Sequence, residues 1–249
     1  MLILLPPSET KRPGGTGRPL AVESMTLPSL APERHRIIDA LVDLSSDEDA
    51  AARILKLSER QRGEIADNAR LRSAPTLPAI DRYTGVLFDA LDAASLPGPA
   101  RRWLGAHVLV HSAPFGPIGA LDGIPAYRLA AGTRLPGLPP LRRVWVDAVS
   151  AALHEAAPRF VLDLRSEAYV ALGPVPAAPA TAYVRVVTEG PDGAVRALNH
   201  FNKHAKGELV RALSMSRPRI GSVGGFLEWA QGHGWTARTG APGEVEIVV

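Results

Sequence analysis

Short apolar runs along the chain predict strands, two of them fully buried. The run that begins at Leu2 ends at two prolines, and a second run begins at Phe160. Short apolar runs beside Pro or Gly are typical of strands that are covered on both faces. Two further pairs of segments flank turn residues and predict hairpins. The predicted strands are Leu2–Leu5, His107–Val110, Phe160–Leu164, Tyr183–Thr188 paired with Val195–Phe201, and Trp235–Arg238 paired with Val245–Val249.

Apolar residues that recur with helical spacing predict the helices, several with acidic residues near the start and arginine near the end. The predicted helices cover residues 33–44, 47–57, 58–71, 86–94, a segment after Pro97, 141–156, 167–172, 202–216 and 223–232. Residues 112–141 are rich in Gly and Pro and predict a long loop. Strands and helices do not alternate regularly, and hairpins are frequent. The pattern therefore predicts a single α+β domain over residues 1–249, with mixed or antiparallel sheet pieces and surrounding helices, rather than a doubly wound sheet.

Composition excludes several classes of protein. The 249 residues are 46% apolar and 21% charged, as in an ordinary soluble domain with a hydrophobic core. The absence of cysteine excludes disulfide scaffolds, thiolate metal sites and thiol peroxidases. A formal net charge of +3 permits a nucleic-acid partner but argues for one only if the charge is concentrated. No segment resembles a signal peptide or a membrane-spanning helix, so we expect a cytoplasmic protein without a membrane partner.

The predicted helix near residue 210 has a lysine on its apolar side. Leu209, Val210 and Leu213 define that side of the helical wheel. Lys206 falls among them, and Lys203 lies at their border. Burying an ammonium group is costly unless it has a partner or reaches a cleft, and the predicted helix start puts Lys206 in the first turn, where anions are favoured. We therefore expect an anion site at Lys206, with a snorkelling side chain as the alternative.

Ionisable side chains follow two of the predicted strands. Glu9 and Lys11 lie in the loop after the first strand. Asp163, Arg165 and Glu167 lie at the end of the strand that begins at Phe160. Loops at strand ends commonly face ligands in mixed folds. The alternatives are a solvated loop at the first place and an internal Arg–carboxylate pair at the second.

The long loop adds two arginines that could bind phosphate. Arg128 and Arg134 lie within it, and a guanidinium group can hold a phosphate with two parallel hydrogen bonds. The chain has no P-loop pattern, so the sequence does not support nucleoside triphosphate binding. His200 and His204 have the i, i+4 spacing of a metal pair but lack a third ligand nearby. We expect no metal site and no cofactor.

Five segments occur in an order that is similar to a known family. They are LILLPPSETK (2–11), YTGVLFDAL (83–91), LDGIPAYRL (121–129), VLDLRSEAY (161–169) and HFNKHAKG (200–207). Together they resemble the YaaA family of bacterial peroxide stress proteins over almost the whole chain. The resemblance implies a compact α+β fold with a basic cleft, a helix–hairpin–helix-like element, DNA binding and a part in limiting oxidative damage. The segment SAPFGPIGAL (112–121) departs from the family's Gly-rich central loop, so no role is carried over to it.

Two functions remain open from the sequence. The first is a DNA-binding protein of the peroxide stress response, which contacts the phosphates of a duplex with little sequence specificity. The second is an enzyme that acts on a nucleotide or another phosphorylated metabolite in the same cleft. The candidate DNA- or anion-binding residues are Lys11, Arg128, Arg165, Lys203 and Lys206, and the candidate proton-transfer residues are Glu9, Glu167 and Lys206. We expect these side chains to converge on one cleft, with Glu9 or Lys11 at its rim.

Overall fold

The computed structural model describes residues 1–177, 180–189, 195–196 and 199–249, with the backbone alone described at 189, 195–196 and 199–201. The strands are β1 (Leu2–Leu5), β2 (Leu77–Pro78), β3 (Val108–Ser112), β4 (Gly116–Gly119), β5 (Gly123–Ile124), β6 (Phe160–Asp163), β7 (Ala180–Glu189), β8 (Val195–Arg196), β9 (Thr236–Thr239) and β10 (Glu244–Val248). The helices are α1 (Ala31–Leu44), α2 (Glu48–Leu55), α3 (Glu64–Ala69), α4 (Ala79–Arg82), α5 (Val86–Leu91), α6 (Gly98–His107), α7 (Leu141–Glu155), α8 (Glu167–Val170), α9 (Asn199–Ser216) and α10 (Val223–Gly232).

One mixed sheet forms the centre of a single α+β domain, as the sequence predicts. Its strand order is β4-β3-β1-β6-β7-β10-β9, and β8 pairs with the end of β7. The strands from β3 to β10 in this order are parallel to their neighbours, whereas β4, β8 and β9 are antiparallel additions. The small strands β2 and β5 form a separate antiparallel pair. Hairpins therefore lie at the margins of a sheet whose middle is parallel.

The central strands are buried because their residues are apolar on both faces. Ile3, Leu4 and Leu5 in β1 have no exposed surface, and β6 is buried throughout. Such continuous apolar strands are typical of parallel sheets that are covered on both sides. Since β1, β3 and β6 run in the same direction, their carboxyl ends meet at one edge of the sheet. The loops that follow Leu5 and Asp163 therefore emerge side by side.

Both predicted hairpins are present, and one of them changes the position of a site residue. β9 pairs with β10, and β8 pairs with β7, although the turn at 190–193 lies outside the described residues. The strand predicted to continue to Phe201 is shorter, because α9 begins at Asn199 rather than at residue 202. The placing of Lys206 in the first turn of this helix is therefore wrong. Lys206 lies about two turns inside α9, where the free amides of the helix end do not reach.

The helix α9 crosses α5 at very short range. A Cβ atom on Gly207 would lie 2.2 Å from the carbonyl oxygen of Leu87 and 2.8 Å from Cβ of Ala90. Glycine is therefore required here by the approach of the two backbones. α9 also packs on α6 and on β7. This packing brings the buried side of α9 to the carboxyl edge of the sheet.

Two other predictions were only partly right. The helix predicted over 58–71 is divided into a short 3-10 turn at Glu59–Gln61 and α3. The loop predicted over 112–141 contains the short strands β4 and β5. In the part of the chain that the structure describes, no helix is long and apolar enough to cross a membrane.

Candidate functional site

The carboxyl edge of the sheet gathers most of the charged residues that the sequence singles out. They are joined there by neighbours from α3, β7 and β10. We call this set the edge cluster. It consists of Glu9, Lys11, Glu64, Arg128, Asp163, Arg165, Glu167, Arg185, Lys206 and Glu244.

Lys11 lies folded back on its own loop and against two tyrosine rings. Its Nζ donates hydrogen bonds to the carbonyl oxygens of Ser8 and Glu9, each at 3.1 Å. The same nitrogen lies 4.1 Å from the ring centroid of Tyr127 and 5.6 Å from that of Tyr83. The two tyrosine hydroxyls are hydrogen-bonded to each other at 2.8 Å, and both rings are buried. The ammonium group of the half-buried Lys11 thus lies against the faces of two aromatic rings.

The surroundings of Lys11 favour its neutral amine. Burial is the largest effect and the positive charge of Arg128 the second, and together they lower the pKa of Lys11 to about 7. The carboxylates of Glu64 and Glu9 oppose this shift without cancelling it. Lys11 is therefore divided between its charged and neutral forms near neutral pH, which is the property required of a general acid or base.

Arg128 lies beside Lys11 and is held in place through its backbone. Asn68, which is fully buried in α3, accepts a hydrogen bond from the Arg128 amide at 2.7 Å and donates one to its carbonyl oxygen at 2.9 Å. The guanidinium group lies 3.3 Å from a carboxylate oxygen of Glu9 and 3.6 Å from one of Glu64. Glu9 is largely exposed, so this carboxylate can move away from Arg128 at little cost.

Arg165 forms the internal ion pair that the sequence analysis left as an alternative. Its Nε lies 2.9 Å from Oδ1 of Asp163, and its Nη2 lies 2.6 Å from Oδ2. Nη1 donates to Nδ1 of His111 and to the carbonyl oxygen of Gly173, each at 2.8 Å. Arg165 has no exposed surface. The structure therefore places this arginine beneath the site, where it organises the end of β6 and has no surface to offer to a phosphate.

His111 is neutral beneath the site. Burial, together with the charge of Arg165, lowers the pKa of its imidazole well below the usual value. Because Nδ1 accepts a hydrogen bond from Arg165, the ring proton is on Nε2. Nε2 is buried and has no hydrogen-bond partner in the described part of the chain. The ring of Tyr169 lies next to it, with centroids 5.9 Å apart.

Lys206 is buried, as the helical wheel predicts, but its partner is a backbone group. Its Nζ donates to the carbonyl oxygen of Leu164 at 3.1 Å and lies 5.7 Å from the ring centroid of Tyr183. Burial lowers the pKa of Lys206 to about 8, against the attraction of Asp163 and with the help of Arg185. Lys206 is thus a second lysine whose charge is easily lost, and it contacts the turn after β6 that contains Arg165.

The remaining predicted residues lie at the margins of the cluster. Glu167 is exposed and lies 3.7 Å from the guanidinium group of Arg185, which is also paired with Glu244 at 2.8 Å. Lys203 is exposed on α9, and the structure shows no ion pair for it with the residues described. The structure therefore connects Glu9 with Lys11 and Arg128, and it places Arg165 and Lys206 around the same turn at Asp163 and Leu164. Among the residues described, Lys203 contacts none of these groups.

The edge cluster contains as many carboxylates as cationic groups, so its charged groups do not by themselves form a basic cleft. Sequence reasoning missed Glu64, Asn68 and the two tyrosines under Lys11, since nothing in their local patterns separates them from structural residues. The described residues contain no group of three or more His, Asp or Glu side chains that could hold a metal ion. His204 lies 3.4 Å from Glu208, and the side chain of His200 lies outside the described residues.

Comparison with known proteins places these residues in a family. Residues 1–231 match the family described as peroxide stress protein YaaA. A UPF0246 protein of Corynebacterium efficiens is 44% identical over 240 residues, which cover 95% of this chain and 94% of that protein. A UPF0246 protein of Streptomyces coelicolor is 45% identical over 219 residues, 86% of this chain and 82% of that protein. The match covers every residue of the edge cluster except Glu244, and the chain belongs to the peroxide stress protein YaaA family.

Proposed function

We propose that the edge cluster binds an anionic ligand, a nucleotide or another phosphorylated metabolite, and that Lys11 transfers a proton to or from this ligand. The observation that carries the proposal is the position of the Lys11 amine, between two tyrosine rings and Arg128, with a pKa of about 7. A proton-transfer group works best when its pKa lies near the working pH. Strongly shifted titratable groups are typical of functional sites, and here two such lysines lie at the carboxyl edge of the same sheet.

In this proposal Arg128 binds the phosphate. Its backbone is held on both sides by Asn68, so the guanidinium group has a defined position. The Glu9 carboxylate that pairs with it is 77% exposed, and a phosphate oxygen replaces that carboxylate without disturbing buried structure. The two parallel N–H donors of a guanidinium group match the geometry of a phosphate. The bound anion then lies next to Lys11, which supplies or removes the proton.

We propose DNA binding during peroxide stress as a second candidate function. Lys203 is exposed on α9, and Lys11 and Arg128 lie beside each other on two other loops, so cations from separate parts of the chain are available to successive phosphates. Contacts of this kind read no bases and give little sequence preference. If DNA is the ligand, Arg165 makes no phosphate contact, because it is fully buried in its pair with Asp163. Balanced charge in the edge cluster favours the small ligand over the duplex.

A screen of ligands by thermal shift tests the first candidate. Nucleotides and sugar phosphates are added to the unchanged protein, to Arg128→Gln and Lys11→Met, and to Lys56→Met as a control with one exposed charge removed. We expect at least one ligand to raise the melting temperature of the first protein and of the control. Arg128→Gln removes a charge-assisted contact worth about 1.5–3 kcal/mol, so it weakens binding about tenfold or more. Lys11→Met retains binding, because Arg128 still holds the phosphate, and removes the amine that transfers the proton.

Duplex binding at several salt concentrations tests the second candidate. If the protein contacts the phosphate backbone, the affinity falls steeply with salt, and each cation removed lowers the log–log slope by about 0.9. Lys203→Gln shows this change, whereas Lys56→Gln does not. A flat salt dependence, or a strong preference for one sequence, counts against DNA binding.

If no phosphorylated compound binds, or if Arg128→Gln binds as well as the unchanged protein does, the first candidate is wrong.

A further inference from the structure

A cavity of about 430 Å³ opens at the other edge of the sheet, away from the edge cluster. Met1 precedes β1 and Arg159 precedes β6, so the cavity lies where these parallel strands begin. The opposite wall comes from α6 and from the link between α9 and α10. We call this cavity the basic cavity, and the side chains that matter for its chemistry are Trp103, His107, Arg159, Arg217 and Arg219.

The charge in the basic cavity is uncompensated, in contrast to the edge cluster. Three guanidinium groups line it, and no Asp or Glu does. In the part of the chain that the structure describes, none of Arg159, Arg217 and Arg219 has an ion-pair partner, and all three are exposed. Cations that converge on one concave surface without carboxylates attract an anion strongly. Phosphate is the anion whose geometry the guanidinium group matches best.

An aromatic pair forms another part of the wall. Trp103 and His107 are one turn apart on α6, and their ring centroids are 4.4 Å apart with a tilt of 48°. Nδ1 of His107 donates to the carbonyl oxygen of Met1 at 2.9 Å, which fixes the ring and leaves Nε2 as an acceptor. Burial lowers the pKa of His107, which favours the neutral ring. Flat neutral rings beside cations are the usual means of holding a base and its phosphate together.

We propose that the basic cavity binds one nucleotide unit, with the base against Trp103 and His107 and the phosphate between Arg217, Arg219 and Arg159. The volume is in the range of cavities that hold small organic ligands. The unit is either a free nucleotide or an unpaired nucleotide of a single strand, since both present the same base and phosphate. A base within an intact duplex is stacked on its neighbours and does not reach the rings. This inference is independent of the function proposed for the edge cluster.

The turn after α9 determines where Arg217 leaves the backbone. Arg217 follows the end of α9 with φ of 51°, in the left-handed region that favours glycine, and Pro218 follows it. Gly221 completes this wall just before Ser222, whose side chain accepts a hydrogen bond from the amide of Gly225 and caps α10. The side chain of Arg217 therefore originates from a constrained turn rather than from a regular helix face.

Titrations with adenosine 5′-monophosphate, inorganic phosphate and a twelve-thymine single strand test the proposal. The protein is compared with Arg217→Gln/Arg219→Gln and with Trp103→Leu. The matched control is Arg142→Gln/Arg143→Gln, which removes two exposed arginines from α7 and leaves the cavity intact. A second control, Lys11→Met/Arg128→Gln, removes binding at the edge cluster. We expect the nucleotide, the single strand or both to bind in the basic cavity, and each of the two cavity variants to weaken that binding at least tenfold. Arg142→Gln/Arg143→Gln should leave all binding unchanged, and Lys11→Met/Arg128→Gln should lose only the binding that belongs to the edge cluster.

The results of these titrations distinguish a free nucleotide from a nucleotide within a strand, and some of them overturn the inference. If the cavity variants lose the binding of adenosine 5′-monophosphate, the result supports a free nucleotide as the ligand. If they lose only the binding of the single strand, the result supports an unpaired nucleotide within a strand. Inorganic phosphate that binds as tightly as the nucleotide, with no effect of Trp103→Leu, overturns the assignment of a base site. Binding that is lost only in Lys11→Met/Arg128→Gln assigns the nucleotide to the edge cluster and overturns the cavity proposal. Absence of binding by both nucleotide probes overturns it as well. Circular dichroism of each variant shows whether it is folded.

Discussion

Asp163 and Arg165 form a two-point ion pair that is almost completely shielded from water. The two carboxylate oxygens of Asp163 face Nε and Nη2 of Arg165, and the side chains are 4% and 0% exposed. The carboxylate also accepts a hydrogen bond from the backbone amide of Arg165 at 3.0 Å. The pair closes the turn after β6, and Lys206 is hydrogen-bonded to the carbonyl oxygen within that turn. The pair therefore supports the edge cluster from below.

Asp163→Asn should lower the free energy of unfolding by about 3–5 kcal/mol, because it leaves the guanidinium group of Arg165 buried without a counter-charge. Urea denaturation measures this change. The control is Asp39→Asn, which removes one partner of the exposed pair with Arg72 and should cost at most about 1 kcal/mol. The double variant Asp163→Leu/Arg165→Met removes both charges and should recover much of the loss. If Asp163→Asn and Asp39→Asn lower the free energy of unfolding equally, the buried pair contributes no more to stability than the exposed pair does.

Gly207→Ala should lower the stability by about 1–3 kcal/mol, because the new methyl group has no room between α9 and α5. Gly224 in α10 is the matched control, since nothing lies within 4 Å of a Cβ built there. Gly224→Ala should leave the stability unchanged or raise it by up to about 1 kcal/mol, as alanine favours a helix more than glycine does. Thermal denaturation of the two variants gives the comparison. A neutral Gly207→Ala would mean that the two helices separate easily.

Lys56→Gly should raise the stability by about 0.5–1 kcal/mol. Lys56 lies just after α2 in the left-handed conformation, with φ of 56° and ψ of 48°, where a side chain is unfavourable and glycine is not. Lys203→Gly makes the same change inside α9 and should have the opposite sign, at a cost of about 0.5–1 kcal/mol. Chemical denaturation resolves the difference between the two variants. If both substitutions destabilise the protein equally, side-chain contacts of Lys56 matter more than its backbone.

Much of the fold follows from local patterns in the sequence. Apolar runs and turn residues predict β1, β6 and the two hairpins, and helical spacing predicts α1, α7 and α10. The parallel pairing in the middle of the sheet has no local signal, because β1 pairs with β3 across roughly a hundred residues of chain. That order depends on contacts between distant segments, including the helices that cover a parallel sheet on both faces.

The candidate site is likewise predicted in part by local sequence patterns and determined in part by contacts between distant residues. The helical wheel predicts that Lys206 is buried, since that depends only on the spacing of its apolar neighbours. The pairing of Arg165 with His111, and of Arg128 with Glu64, joins residues far apart in the sequence and is set by tertiary packing. The low pKa of Lys11 is likewise invisible in the segment PSETK, because Arg128 and the tyrosine rings come from other parts of the chain.

The stability of the protein should rise with pH between about pH 7 and 9.5 through Lys11. In the native state the Lys11 amine loses its proton near pH 7, whereas in the unfolded chain it keeps the proton up to its ordinary value of 10.5. Between these values the unfolded state binds more protons, so a rise in pH favours the native state. Lys206, with a pKa of about 8, adds a contribution of the same sign above pH 8. Urea denaturation at pH 7 and pH 9 measures the change.

Lys11→Met isolates the contribution of Lys11, because the variant keeps an unbranched apolar stem and has no proton to lose. The free energy of unfolding of Lys11→Met should rise less over the same pH range than that of the unchanged protein. The stability gained since pH 7 should therefore differ between the two proteins by an amount that grows with pH. Tyr83 and Tyr127, whose pKa values are raised by burial, act with the opposite sign above about pH 10, so the comparison ends below that value. Arg128, Arg82, Glu9 and Glu64 are the charged groups that face Lys11. If the two proteins show the same pH dependence, the Lys11 amine is charged in the folded protein, and its assignment as the proton-transfer group is wrong.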